Sequence, residues 1–185
     1  VIIGLNFILL METQPTSIKK IALNYGVLLA LISIILQVVS YVMDAHIDRP
    51  WWVSFVQLLI SIAIIVLGLR AFKMENGGFL SFFQAIKTGL AISVVAAIIS
   101  VVFNYIFITY IDPDFIQKTL DFTREQMQET PNLSEEQIEM SMEMSTKFMT
   151  SWIMSAFSII ATLFFGFVIS VLAGLALRKD PPFHP

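Results

Sequence analysis

An all-α membrane protein is predicted, with four transmembrane helices in an antiparallel bundle and an extracytoplasmic helical hairpin between the third and fourth. Three observations predict it. Four stretches carry no charge: Ile21–Met43 (23 residues), Trp51–Leu69 (19), Thr88–Ile111 (24) and Phe148–Leu177 (30). The whole chain is 57% hydrophobic and 14% charged with a mean hydropathy of +0.81, where a soluble domain is about 45–50% apolar and about 25% charged. The third stretch ends abruptly at Asp112-Pro113-Asp114, which opens a polar excursion before the fourth. Each run reaches the roughly 17–25 residues needed to cross a hydrocarbon core. With no water there to satisfy the backbone, such runs must be helical. The expected organisation is a tail over 1–17, one four-span membrane domain over 18–179 that includes an insertion at 112–147, and a C-terminal tail over 180–185.

Taken in order, Val1–Leu10 is apolar but too short to span, and Met11-Glu12-Thr13 after it resembles a start. We read the stretch as lying outside the fold, either as residues upstream of that start or as a frayed interfacial tail. Span one opens after Ser17-Ile18-Lys19-Lys20. Its apolar run exceeds the 7–15 residues of a signal h-region, so it is expected to be a retained helix. The short connection Asp44–Pro50 makes spans one and two a hairpin, and Trp51-Trp52 open span two where aromatic rings favour the interface.

Gly77-Gly78 permits a turn. After it, Phe79, Phe82, Phe83 and Ile86 recur at helical spacing against Ser81, Gln84 and Lys87. This pattern predicts a short interfacial helix over Phe79–Lys87, or else the first turns of span three. Beyond span three, Pro113 forces the preceding residue out of the helical region and suits the first turn of a new helix. Phe115–Met127 has one apolar face, Thr130-Pro131-Asn132-Leu133 stops it, and Ser134 with Gln137 forms a capping-box pattern that starts another helix. The last run would cover roughly 45 Å as helix. Span four is therefore expected to protrude and join the Ser134 helix without a break, ending at Arg178-Lys179 and Asp180-Pro181-Pro182.

Charge sets the expected orientation. Lys19, Lys20, Arg70, Lys73, Lys87, Arg178 and Lys179 share one side with only Glu12, Glu75 and Asp180. The other side has Arg49, Lys118, Arg124 and Lys147 against eleven acids, for balances of +4 and −7. The positive-inside rule then places both termini in the cytoplasm of a multi-pass protein and turns the acidic connection outward.

Inside the four runs there is no Asp, Glu, Lys, Arg or His. Proton relays and ion pathways usually need such groups at depth, which argues against coupled transport and intramembrane hydrolysis. Asn24, Gln37, Gln57 and Asn104 are the amides present. Interhelical hydrogen bonds are their ordinary use, and a polar substrate path through Gln37, Gln57 and Asn104 is the functional alternative. Small residues recur every four positions at Gly89, Ser93 and Ala97, and again at Gly166, Ser170 and Gly174. Such stripes let backbones approach. Spans three and four run oppositely, so packing of one stripe on the other is expected, with homodimerisation through the same residues as the alternative.

Candidate chemistry is sparse. Met140, Met142 and Met144 form an M-x-M-x-M pattern, and thioethers suit Cu(I). On a helix, however, Met140 and Met144 share a face while Met142 points away, which leaves those two as weak candidates. His46 and His184 stand isolated in a loop and a tail. The acids of Glu135–Glu143 lack the turn-organised oxygens of a calcium loop. Cysteine is absent, and no phosphate loop, dinucleotide fingerprint, G-x-S-x-G or H-E-x-x-H occurs. No catalytic residue, cofactor or nucleic acid is expected.

At Gly77-Gly78-Phe79, Ser81-Phe82, Gln84-Ala85 and Lys87-Thr88-Gly89, and again at Tyr110-Ile111-Asp112-Pro113-Asp114-Phe115, the chain resembles an uncharacterised bacterial four-span inner-membrane protein family, known as a domain of unknown function. The resemblance covers about Ile18 to Arg178. It implies four helices, an outward insertion and the bacterial inner membrane, and it transfers no activity. The reading that follows is a non-enzymatic accessory or envelope-interaction protein. Its partners would be the lipid bilayer and a protein docked on the acidic outward hairpin. The alternatives are a small-solute or ion transporter and a soft-metal (Cu(I)) binding protein.

Overall fold

The computed structural model describes residues 17–131 and 133–180. The expectations for Val1–Leu10 and His184 lie outside them. Six α-helices follow in order: α1 (Ile18–Val42), α2 (Trp51–Glu75), α3 (Phe82–Ile106), α4 (Phe115–Gln128), α5 (Glu135–Phe148) and α6 (Ser151–Leu177). Helices α1, α2, α3 with its extension, and α6 are each long and apolar enough to cross a membrane. The protein is a multi-pass membrane bundle, and α3 is its axis, with its largest contacts to α6 and α1.

The α2–α3 turn is built from its sequence. Gly77 (φ +64) and Gly78 (φ +85) adopt the left-handed conformation that glycine tolerates best, and Asn76 Nδ2 donates to the Phe79 carbonyl at 3.0 Å. Ser81 and Gln84 then form a capping box, so the helix begins at Phe82. Phe79 and Leu80 precede it as extended chain, with Leu80 and Lys179 exchanging two backbone hydrogen bonds of 2.9 Å. The segment is therefore the first turns of span three and not a separate interfacial helix. Bridging to Lys179 satisfies the Leu80 backbone groups, and the cap satisfies the first donors of α3.

At its far end α3 runs into a five-residue π turn, Phe107–Ile111, in which the Asp112 N–H donates to the Phe107 carbonyl at 2.8 Å. The Ser134/Gln137 capping box starts α5. Leu120, Ile138 and Met142 bury against each other where α4 meets α5, with Ile116, Met127 and Met149 packed around them. Contrary to expectation, α5 and α6 are not continuous. The chain leaves the helical region at Thr150 (ψ 143), and α6 starts afresh at Ser151. Met149 is drawn into the hairpin core, which takes the chain off the bundle axis, and uncharged Met149-Thr150 carries no proline or glycine to advertise the break.

The main core gathers at one end of the bundle, the closed end, from Ile21, Leu29, Ile65, Leu69, Phe72, Leu80, Ile92 and Ile169. Backbones meet closely there. A Cβ added at Gly89 would collide with Ser170, and one at Gly166 with Ser93; at Gly174 it would lie 2.9 Å from the Ala85 Cβ. Ala97 is buried on the same helix as Gly89 and Ser93. The two small stripes thus face each other within one chain, each glycine of this pair of contacts opposite a serine. Ser93 and Ser170 return their hydroxyls to the Gly89 and Gly166 carbonyls of their own helices, at 3.0 and 2.5 Å, so neither leaves a bare donor at the contact. Gly26 does the same for α1, where an added Cβ would lie 2.6 Å from the Val95 Cβ.

Candidate functional site

Toward the other end the four helices part and enclose a cleft of about 1090 Å³. Each helix contributes polar side chains at helical spacing: Ser33, Gln37 and Ser40 from α1; Ser54, Gln57 and Ser61 from α2; Ser93, Ser100 and Asn104 from α3; Ser158 and Thr162 from α6. A serine or amide recurring every three, four or seven residues keeps one face of a helix. Four such faces turned to a common axis make a space with polar groups on every wall inside an apolar bundle. Gln57 Nε2 donates to Ser33 Oγ at 2.9 Å and, more weakly, to Ser61 Oγ at 3.4 Å. This ties α2 to α1 across one wall. Ser40 returns its hydroxyl to the Leu36 carbonyl at 2.9 Å. Gln37, Gln57 and Asn104, read from sequence as an alternative polar path, are brought together on this one cleft.

The cleft is blind. Its deepest lining residues include Ile65, Ser93 and Gly166, and immediately beyond them lie the Gly89–Ser170 and Gly174–Ala85 contacts.

At the mouth, three residues that sequence reasoning treated separately form one cluster. Asp112 is only 3% exposed and binds His46 Nε2 (3.1 Å) through Oδ2 and Lys118 Nζ (2.6 Å) through Oδ1. Burial alone pushes the Asp112 carboxyl up, but the bonds from Lys118 and His46 outweigh it and hold the group below its ordinary value. The same bond to Asp112 is the main reason the Lys118 ammonium is held above its own. An ionised Asp112 can only accept. His46 Nε2 therefore carries the proton in this contact, and in the neutral ring Nδ1 is the acceptor. That Nδ1 is buried and has no hydrogen-bond partner among the described residues.

Aromatic rings hold the imidazole in place. Tyr41 meets it edge-on at 4.9 Å, Phe115 stacks at 6.2 Å, and Phe107 lies beneath both Tyr41 and Phe115. The cluster joins the α1–α2 loop, the π turn and the first turn of α4. His46, Phe107 and Phe115 also line the cleft, so the hairpin's first residue is part of the cleft wall. Arg49, in the same loop with φ +45, lines the mouth as well.

Two signals in the sequence could have found this site. The Ser/Thr/amide positions form a helical stripe in each span. Two crossings also return the chain to the same side, so loop 44–50 and Asp112 share an end of the bundle. The arrangement offers hydroxyl and amide groups along the cleft and one buried carboxylate at its mouth. Among the described residues no group of three or more His, Cys, Asp or Glu could hold a metal ion. Met140 and Met144 are 61% and 55% exposed on α5, while Met142 is buried on the opposite face against α4. The three thioethers of the M-x-M-x-M pattern are thus split between two faces.

A family model described as "Protein of unknown function (DUF4199)" matches residues 24–179. No curated protein and no solved structure matches the chain.

Proposed function

The chain belongs to the DUF4199 family of proteins of unknown function, and from that premise we propose that it is a non-enzymatic binding protein of the bacterial inner membrane. Its ligand site is the blind polar cleft. The observation that carries this reading is the convergence of polar side chains from all four spans on one cavity that stops at close contacts of glycines with Ser170 and Ala85. A hydroxyl or amide lining suits a ligand recognised by hydrogen bonds. A closed far end suits retention more than passage, which sets binding above small-solute or ion transport. The distribution of Lys and Arg supports cytoplasmic termini, with the cleft opening outward.

A test is available because the chain lacks cysteine. Single cysteines at Gln57 and Asn104 should react with a small, charged, membrane-impermeant thiol reagent in intact cells, while one at lipid-facing Leu67 should not. Protection of both cleft positions would show the cavity to be dry and end the proposal.

A second reading concerns the hairpin, whose carboxylates Asp121, Glu125, Glu129, Glu135, Glu136, Glu139 and Glu143 are all exposed. Such a surface favours a basic partner, and the hairpin would dock it as an accessory or envelope-interaction element while the spans serve as the anchor. Neutralising Glu135, Glu136, Glu139 and Glu143 to Gln should then release co-purifying proteins without altering cysteine labelling in the cleft. Unchanged co-purification would leave the function with the spans.

A further inference from the structure

The cleft's charge and its open flank together specify a ligand class. Among its lining residues the one with a permanent charge is the cation Arg49, and no carboxylate lines it. No described carboxylate lies within ion-pair distance of Arg49, although Asp44 and Asp48 share its loop. The nine-tenths-buried His46, whose Nδ1 has no partner among the described residues, adds a polar ring nitrogen to the same wall. Deeper in, the walls are hydroxyls and amides.

Along one side the cleft is not sealed. Trp51, Phe55 and Leu58 of α2 and Phe157, Ala161 and Phe165 of α6 line it and are themselves exposed. Trp51, Phe157 and Phe165 are 78%, 62% and 50% exposed. In a bilayer, an opening between two spans faces lipid. A ligand with a polar, anionic head and apolar chains could therefore enter sideways, place its head against Arg49 and the uncharged polar walls, and leave its chains between the aromatic rims.

We infer that the cleft binds an anionic phospholipid, phosphate toward Arg49, admitted laterally between α2 and α6. This inference rests on the reading of the cleft as the ligand site. A water-soluble glycerol phosphate has the same head chemistry without the chains, and it is the source to be told apart.

The full chain, purified in a mild detergent, is incubated with equal amounts of phosphatidylglycerol and phosphatidylcholine of matched chains, and bound lipid is counted by native mass spectrometry. Phosphatidylglycerol should be retained in preference by about tenfold, because both lipids offer a phosphate but only phosphatidylcholine also brings a quaternary cation toward Arg49. Arg49→Gln should abolish the preference while Arg49→Lys keeps most of it, and Gln57→Leu should weaken retention of both lipids. Glycerol 3-phosphate in excess should not displace the lipid. Equal retention of the two lipids by the unaltered chain, still weakened by Gln57→Leu, would overturn the anionic inference and leave the cleft as a ligand site. Displacement by glycerol 3-phosphate would assign the site to a soluble anion. Retention unchanged by both Arg49→Gln and Gln57→Leu would place the lipid elsewhere and remove both readings.

Discussion

The two halves of this bundle use the same kind of residue to opposite ends. In the closed half, Ser93 and Ser170 sit against Gly166 and Gly89, spend their hydroxyls on carbonyls of their own helices, and let the backbones touch. In the open half, Ser33, Ser54, Ser61, Ser100 and Ser158 face a space wide enough for another molecule. What differs is the residue across the way. A glycine opposite a serine brings two helices together, whereas Gln57 reaching for Ser33 holds them at arm's length. Small polar residues in a membrane helix are therefore read correctly only in pairs.

The contrast can be broken most forcefully at the closed end. Gly166→Ile drives a branched side chain into Ser93 on α3, and overpacking of this kind costs about 1–3 kcal/mol or more. We expect a large fall in thermal stability in detergent, whereas Ala161→Ile, on an exposed cleft-lining position of the same helix, should stay within about 0.5 kcal/mol of the parent. Equal losses at both positions would show that the halves are packed alike.

A somewhat smaller effect is expected at the mouth. Asp112→Ala strips the partner from His46 and Lys118, and loss of a hydrogen-bonded charged group costs about 1–3 kcal/mol. The pH dependence has a definite sign. Because the folded state holds the Asp112 carboxyl below its ordinary value of 3.8, its contribution is complete above that value and is lost as pH falls through the lower folded one. Acid unfolding below pH 3.8 should thus be shallower in Asp112→Asn than in the parent. Superimposable acid profiles would mean that the cluster does not hold the loop.

Smaller again is Gln57→Leu, which removes one interhelical hydrogen bond. In membranes such a bond is worth about 0.6 kcal/mol, so stability should barely change even as the cleft loses a donor. The smallest effect belongs to Lys20→Ala at the closed end. Its exposed pair with Glu75 (3.1 Å) should contribute no more than about 0.3 kcal/mol, less in high salt.

Much of the fold was legible because hydropathy and length act over twenty residues at a time. Asp112-Pro113, the Gly77-Gly78 turn and the Ser134/Gln137 box are local signals with one structural outcome each, and they mark real boundaries. The break at Met149-Thr150 was illegible because its cause is tertiary, the capture of Met149 by a core that α4 and α5 build together. The candidate site was half legible. Gln37, Gln57 and Asn104 stood out as amides among apolar residues, but the serines between them are common in membrane helices and gain meaning only once four stripes share an axis. His46 looked solitary because its partner Asp112 lies 66 positions away; only the topology brings them near.

The π turn at Phe107–Ile111 makes the site sensitive to a class of mutation that leaves composition untouched. A π turn accommodates one residue more than the α-helical ladder would, and here the surplus falls just before Asp112. Inserting one further residue beside exposed Thr109, a surplus the turn cannot also absorb, would swing all that follows by about 100°. The carboxylate would face away from His46, and the hairpin would leave the bundle in another direction. Changes of length, more than changes of letter, are thus what would uncouple the hairpin from the cleft it helps to wall.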